Sequence, residues 1–453
     1  MYQNQKILVL GMARSGYEVA KLLANYNNKI TVTDGKPQDE MQVKELEALG
    51  IPVIITENQE DLLDESFDVV VKNPGIKYTH PCVLKARELG ISVVNELEVA
   101  YTFLPDDVKI IGVTGSNGKT TTVTLIYEIL KQSFDRVHLC GNIGYPLASM
   151  LPSIQSGDIL VTEISDHQLC DMYEFKTDIS VLTNISDAHT DFHDSHERYV
   201  EMKMRIFNHH TKENFGIINF DNQESMEATK DIKTHKLYFS STSKQLCYLE
   251  DGTIYYDGKE FIRANEIRLK GKHNYENIMA AILVAKIFDV SDEAIIEVFK
   301  NFKGVEHRIE YVTTIHNREV YNDSKSTNNV ATITALQSFQ KPVRLLLGGL
   351  DRNQSFEELY LHMNYVKKVY SFGETKEKIK QFCESKNIDC EIFETLKEAA
   401  IKSYQDSEEG EVILLSPACA SWDQYKCFED RGNEFKKIMV DLTLFQTIQE
   451  KYK

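Results

Sequence analysis

The sequence predicts an α/β protein built from three αβ domains in series. Three observations lead there. Short apolar runs closed by glycine or aspartate alternate with stretches of helical period along most of the chain, the signature of parallel strands joined by helices. A glycine-containing loop sits mid-chain between one such run and a helix. The length, 453 residues, exceeds what one core organises and suits roughly three domains.

The first segment opens on "KILVLGMARSG", an apolar run ending in glycines, followed by the helical "YEVAKLLANY" and then "KITVTDG". "IPVIITE", "FDVVVKNPG" and "ISVVNE" read as further strands with helical stretches between several of them, so the segment predicts a doubly wound parallel sheet. The loop "LPDD" at 104–107 marks the first domain boundary. A second domain begins with "VKIIGVTGSNGKT" and continues through "DILVTEIS", "DISVLTNIS" and "FGIINFD" as buried strands. In "YLEDGTIYYDGKEF" the pairs Asp251-Gly252 and Asp257-Gly258 predict hairpin turns. "HNYENIMAAILVAKIF" has a helical apolar pattern. A third αβ segment starts near "GVEHRIEYV" and contains "VRLLLGGLD", "KKVYSFGE" and "EVILLSPA". The expected domains are therefore residues 1–104, 105–304 and 305–453. No short repeat or low-complexity segment interrupts them.

Composition narrows the function classes. An apolar fraction of 42% and a charged fraction of 26% are those of a soluble globular protein. No apolar run reaches the ~18 residues of a membrane helix, so no membrane partner is expected. The net charge of −18 argues against nucleic acid, whose phosphates need Lys and Arg. Eight cysteines without a CxxC pair read as reduced thiols, and the strand-like run just after Met1 leads us to expect no leader peptide; both point to the cytoplasm.

"TGSNGKTTT" at 114–122 resembles the phosphate loop G-x-x-x-x-G-K-[ST], with Val113 where the first glycine belongs. Backbone N–H groups of Gly115, Ser116, Asn117, Gly118 and Thr121 would face a polyphosphate at the positive end of the following helix. Lys119 would reach the terminal phosphates and Thr120 offers its hydroxyl to Mg²⁺. A helix cap that happens to read GKT is the structural alternative, and the strand before and helix after favour phosphate.

"GMARSG" at 11–16 is a relaxed dinucleotide-type turn, with Asp34 ending the next strand. An NAD site, a UDP site and a purely structural turn all suit it. Glu163 closes a buried run in "TEIS", where a Mg²⁺ ligand or an ordinary strand-end carboxylate could stand. His189, His193 and His196 in "HTDFHDSHER" are spaced for one helix face and could hold a metal, although surface histidines in an acidic loop are the commoner case. "YNDSKSTN" places Asp323, Ser324, Lys325, Ser326, Thr327 and Asn328 after an apolar run, a polar cluster suited to a nucleotide or phosphate. "LGGLDR" and "SPACASWDQYKCFEDRGNEF" add a second glycine turn and a stretch that can both pack and touch ligand.

Together "GVTGSNGKTT", "GNIG", "TEIS", "HNYEN", "EHR", "DSKSTN" and "SPACASWDQYKCFEDRGNEF" resemble the Mur ligases of peptidoglycan synthesis along the whole chain and in the same order. "DSKSTN" and the last block are the most specific, and they match the members that add D-glutamate to UDP-N-acetylmuramoyl-L-alanine. A folylpolyglutamate synthase or a sister Mur ligase is the near rival, and an NAD-binding phosphate-loop ATPase the distant one. The resemblance implies a Rossmann-like N-terminal domain for the UDP-substrate, a central phosphate-loop ATPase-like parallel sheet for ATP and Mg²⁺, and a Rossmann-like C-terminal domain for the amino acid. It implies an ATP-dependent acid–amino-acid ligase working through an acyl phosphate, as a monomer, with closure of the domains keeping water out.

Residue by residue, the resemblance implies a catalytic set of Lys119, Glu163, His189 and Lys203. Thr120, Glu163, His189 and Lys203 would hold two Mg²⁺ ions, with Lys203 carbamylated. Arg14, Ser15, Asp34, Asn73, Asn142 and Gln168 match UDP-substrate contacts. Asn274, Asn277, Arg308, Asp323 and Lys325 match ATP contacts beside the loop, and Thr327, Arg352, Ser421 and Phe428 match the D-glutamate pocket. This sequence departs from the family at Asp166-His167, where Ser and Phe or Tyr are usual, at Asp351-Arg352, where some members carry a lysine, and at "GKHN", which replaces a commoner double histidine.

Overall fold

A computed structural model describes residues 2–186, 190–269, 271–352 and 354–451. Among these, three sheets are present, in two compact units that meet at Phe302/Lys303.

The first unit holds two sheets. Strands β1 (Lys6–Leu10), β2 (Lys29–Asp34), β3 (Val53–Ile55), β4 (Val69–Lys72) and β5 (Ser92–Val94) are all parallel, in the order β3-β2-β1-β4-β5. The chain reverses its winding between β1 and β4, which opens a crevice at their carboxyl ends. Strands β6 (Lys109–Thr114), β7 (Val137–Gly141), β8 (Ile159–Glu163), β9 (Ile179–Leu182), β10 (Phe215–Asn219), β11 (His235–Ser240), β12 (Cys247–Glu250), β13 (Thr253–Tyr256) and β14 (Lys259–Arg263) form the second sheet, ordered β14-β13-β12-β11-β10-β9-β6-β8-β7. Its β12–β13 and β13–β14 pairs are antiparallel, and their turns are the expected Asp251-Gly252 and Asp257-Gly258. The aspartates take left-handed backbone at φ 48° and 49°, as a tight hairpin demands.

The two sheets share one core. Val9, Leu97, Ala148, Leu160 and Phe207 belong to a single buried apolar cluster, so the loop at 104–107 separates two sheets without separating two bodies. Polar groups cross the same seam. Lys72, at the end of β4, lies 2.9 Å from Asp171, both about 1% exposed, and Asn95 donates to the Gln168 carbonyl at 2.6 Å. A buried ion pair adds little net stability, but losing either partner would strand a charge.

In the second unit, β15 (Glu310–Ile315), β16 (Arg318–Asn322), β17 (Val343–Gly348), β18 (Val366–Phe372), β19 (Cys390–Phe393) and β20 (Val412–Leu415) are ordered β15-β16-β20-β17-β18-β19. All pairs are parallel except β15–β16. Apolar clusters include Leu345, Leu347 and Leu414 in one and Leu346, Ile413 and Leu415 in another. The alternation along β17 and β20 matches a sheet covered on both faces. β16, β17 and β20 are neighbours, so "DSKSTN", "GGLDR" and "SPACAS" leave adjacent carboxyl ends.

Candidate active site

The phosphate loop leaves β6 and enters the helix Lys119–Leu130. Val113 is a fully buried strand residue paired with Glu163 and Val181, so the loop proper begins at Gly115 and the displaced glycine breaks nothing. Gly118 has φ 85°, and a Cβ there would stand 2.3 Å from Asn277 Oδ1, so any other residue would strain the backbone and push the Asn277 side chain. The end of β9 braces the loop. Ser116 N donates to Asn184 O at 2.9 Å, Asn117 N to Asn184 Oδ1 at 2.9 Å, and Thr183 Oγ1 to Asn117 O at 2.6 Å. Lys119 folds over it, donating to the carbonyls of Gly115 at 2.6 Å and Ser116 at 2.9 Å. Thr120 and Thr121 fill the first helical turn, Thr120 buried and Thr121 half-exposed. Asn277 is buried and accepts from Thr122 at 3.2 Å, while Asn274 is half-exposed in the first turn of the same helix, Lys272–Ile287.

Glu163 ends β8 and is 2% exposed. Its Oε1 accepts from Asn142 Nδ2 at 2.8 Å, while Oε2 is buried with no hydrogen-bond partner among the described residues. A buried carboxylate oxygen left unpaired beside a phosphate loop suits a divalent cation. His189, expected at the second cation, lies outside the described residues.

Lys203 is fully buried. Its Nζ donates to Gly115 O at 2.9 Å, lies 3.5 Å from Asp166 Oδ1 and 4.4 Å from the Tyr199 ring centroid. Burial, reinforced by the Lys119 charge and opposed by Asp166, pushes its pKa down to about 7. Tyr199 in turn hydrogen-bonds Ser116 Oγ at 2.7 Å. Asp166, 3% exposed, also contacts His193 Nε2 at 2.7 Å and His167 Nε2 at 3.7 Å. This departure from the family motif is therefore the hub of a buried Asp–His–Lys cluster.

His193 and His196 do not share one helix face. Asp194 takes φ 62° and ends the turn Thr190–His193, and Ser195 caps a new helix, His196–Met204. His193 is buried on Asp166, whereas His196 pairs with Glu224. A left-handed residue between them turns the second helix away. Gln168 closes a capping box, its Oε1 accepting from Ser165 N at 2.9 Å.

At the β1/β4 crevice, Asn73 Nδ2 donates to Ser15 Oγ at 3.1 Å. Asp34 Oδ2 accepts from Met12 N at 2.8 Å and so holds "GMARSG" in shape. Arg14 is exposed and stands 5.2 Å from the Tyr145 ring.

In the second unit Asp323 accepts from Ser416 Oγ at 2.6 Å and Ile309 N at 3.1 Å. Burial raises its pKa to about 6, against hydrogen bonds and the charge of nearby Arg308. Lys325 lies 5.9 Å from the Phe428 ring, and Thr327 N donates to Lys325 O at 2.9 Å. Ser421 is 2% exposed, with Oγ unpartnered among the described residues. Arg352 Cζ lies over the Trp422 ring, 4.6 Å from its centroid. Sequence reasoning missed Arg431. Fully buried, it donates to Ser324 Oγ at 3.0 Å, Ser324 O at 2.8 Å and Cys419 O at 3.0 Å, tying "DSKSTN" to "SPACAS". Its position in "RGNEF", a charge inside an otherwise helical block, was the available signal. Asn184, a polar residue just past a buried strand, was another.

Family models match the chain in sequence order: "Mur ligase MurD-like, N-terminal domain" over residues 5–95, "Mur ligase middle domain" over 113–285 and "Mur ligase, glutamate ligase domain" over 307–419. A UDP-N-acetylmuramoylalanine–D-glutamate ligase from Geobacillus kaustophilus (strain HTA426) is 45% identical over 439 residues, covering 96% of this chain and 97% of the relative. The protein of that name from Bacillus mycoides (strain KBAB4) is 42% identical over 438 residues, with 96% and 97% covered. Among solved structures, UDP-N-acetylmuramate-alanine ligase MurC from Thermotoga maritima superposes with a TM-score of 0.60 at 17% identity, covering 96% of this chain and 99% of that one. MurF ligase from the same organism, in complex with ADP, gives 0.55 at 18%, covering 97% and 96%. These two are likenesses of fold.

Proposed function

The chain belongs to the Mur ligase family, and we propose that it joins D-glutamate to UDP-N-acetylmuramoyl-L-alanine at the expense of ATP, in the cytoplasm and as a monomer. One observation carries this reading: a braced phosphate loop beside Glu163, a buried carboxylate with an unpartnered oxygen, in a chain matched over 96% of its length by relatives named for that reaction. Residues 1–104 would take the UDP-substrate, 105–304 ATP and 305–453 the amino acid.

The alanyl carboxylate attacks the γ-phosphorus of ATP, ADP leaves, and an acyl phosphate forms. The D-glutamate amine then attacks the acyl carbon, phosphate leaves, and the amine proton passes to solvent, giving an amide. Gly115 to Thr121 cradle the phosphates, and Lys119 meets their charge. Thr120 and Glu163, with His189 and a carbamylated Lys203, would hold Mg²⁺, which neutralises the triphosphate. A lysine whose pKa falls to about 7 presents the neutral amine that CO₂ requires. Asn142 fixes the Glu163 carboxylate through its amide. Arg14, Ser15, Asp34, Asn73 and Gln168 serve the UDP-substrate; Asn274, Asn277, Arg308, Asp323 and Lys325 serve ATP; Thr327, Arg352, Ser421 and Phe428 serve D-glutamate.

The test is phosphate release with ATP, Mg²⁺, UDP-N-acetylmuramoyl-L-alanine and a panel of amino acids. Release that needs D-glutamate supports the reading. Release independent of any amino acid, together with NAD binding, sinks it in favour of an ATPase with a dinucleotide domain.

A further inference from the structure

We infer that Trp422 is a positioning residue for the amino-acid substrate: its indole holds the Arg352 guanidinium flat, so that the guanidinium edge receives the side-chain carboxylate of D-glutamate. The inference rests on the proposed function and adds to it a specificity element and a built-in reporter.

Three features converge on one loop pair. First, the turn carrying Arg352 is pinned to the block carrying Trp422. Leu350 N donates to Ala420 O at 2.9 Å, and Gly349, at φ 144°, approaches so closely that a Cβ would lie 2.3 Å from Ala420 O. Asp423 Oδ2 then accepts from Glu374 N at 3.1 Å, fixing the far side of Trp422. Second, charge is left over in this turn. Asp351 is matched by Lys378 at 3.0 Å, while Arg352 has no carboxylate partner among the described residues and instead lies 4.6 Å over the indole. Stacking covers one face of a planar guanidinium and leaves its in-plane N–H donors available, the geometry a carboxylate accepts in bidentate fashion. Third, the residue before Trp422 shows what is missing. Ser421 is 2% exposed with its Oγ unpartnered, and a buried hydroxyl without a partner is uncommon unless a ligand supplies one.

Trp422 itself is 63% exposed, a large apolar ring left in water beside a cation. Burying the ring against the substrate and stiffening the arginine reduces the ordering cost of binding. A lysine, lacking the planar face, would gain less from an indole beneath it.

The chain has one tryptophan, so its emission reports this site alone. With UDP-N-acetylmuramoyl-L-alanine and a non-hydrolysable ATP analogue present, D-glutamate should change the emission saturably, and D-alanine should not. Trp422→Leu should raise KM for D-glutamate about five- to tenfold with kcat nearly unchanged, and Trp422→Phe should restore most of the loss. Arg352→Gln should raise KM at least as much, and Arg352→Gln with Trp422→Leu should be no worse than Arg352→Gln alone, because the two act as a unit. Trp422→Leu with an unaltered KM, silent emission at saturating D-glutamate, or additive effects of the two substitutions would each overturn the inference. An enzyme that releases no phosphate with D-glutamate at all would instead overturn the functional reading beneath it. Because Trp422 is largely exposed, its substitution leaves the core intact.

Discussion

The Asp166 carboxylate stands 3.5 Å from the Lys203 amine, with side-chain exposures of 4% and 0%. Asp166 favours the ammonium form, against the burial and the Lys119 charge that bring the lysine down to about 7. If Lys203 must be neutral to take up CO₂, activity rises with pH through that value. Asp166→Ser removes the opposing carboxylate, so the acid limb of the kcat profile should move to lower pH, by up to about one unit. An unmoved limb in the variant would sink this assignment. Lys203→Ala should be inactive and partly rescued by bicarbonate or short-chain carboxylates; failure of every rescuer counts against a carbamate.

Lys119 donates to carbonyls of its own loop, Gly115 at 2.6 Å and Ser116 at 2.9 Å. Lys119→Ala should therefore leave the fold unchanged and cut ligation by at least about 10³-fold. Equilibrium binding of the UDP-substrate should stay within about twofold of the parent. Loss of that binding would mean that the lysine supports the loop's shape.

Arg431 ties the loops carrying Ser324 and Cys419 together through three hydrogen bonds made wholly inside the protein. Burial lowers its pKa to about 10, which leaves it charged at neutral pH. Arg431→Met removes the donors and strands the carbonyls of Ser324 and Cys419, at a cost of about 3 kcal/mol. Urea unfolding should show that loss, and a variant as stable as the parent would contradict the bridging role.

His210 is buried among Thr177 at 2.8 Å, Ser180 at 3.1 Å and Thr234 at 3.0 Å. Burial pushes its pKa down to about 4 from 6.5. Between those values the unfolded chain binds the proton and the folded one does not. Its contribution is thus complete above pH 6.5 and drains away as pH falls towards 4, on the order of 3 kcal/mol. Chemical denaturation of His210→Gln across this window should show a flatter acid limb; a slope equal to the parent's would refute it.

By itself the sequence determined the local objects. Apolar runs with period-two or continuous burial became strands, the Asp-Gly pairs became hairpin turns, and "TGSNGKTTT" became a loop between β6 and a helix, because each is written within a dozen residues. It also supplied the side-chain types of the candidate site, since Glu163 and Asp323 sit where strands end and Lys119 opens the helix after the loop. Tertiary structure decided what lies beside what. His193 and His196 part company because one aspartate, Asp194, adopts left-handed backbone, which periodicity does not register. The loop at 104–107 reads as a domain boundary, and tertiary structure adds that one apolar cluster draws on both sheets beside it. Asp166 meets His193 across 27 positions, and Arg431 meets Ser324 across 107. Such pairs form only when strands at different places in the chain bring their carboxyl ends together, and burial then makes each contact count. Local pattern carries no term for that proximity, and the packed sheets do.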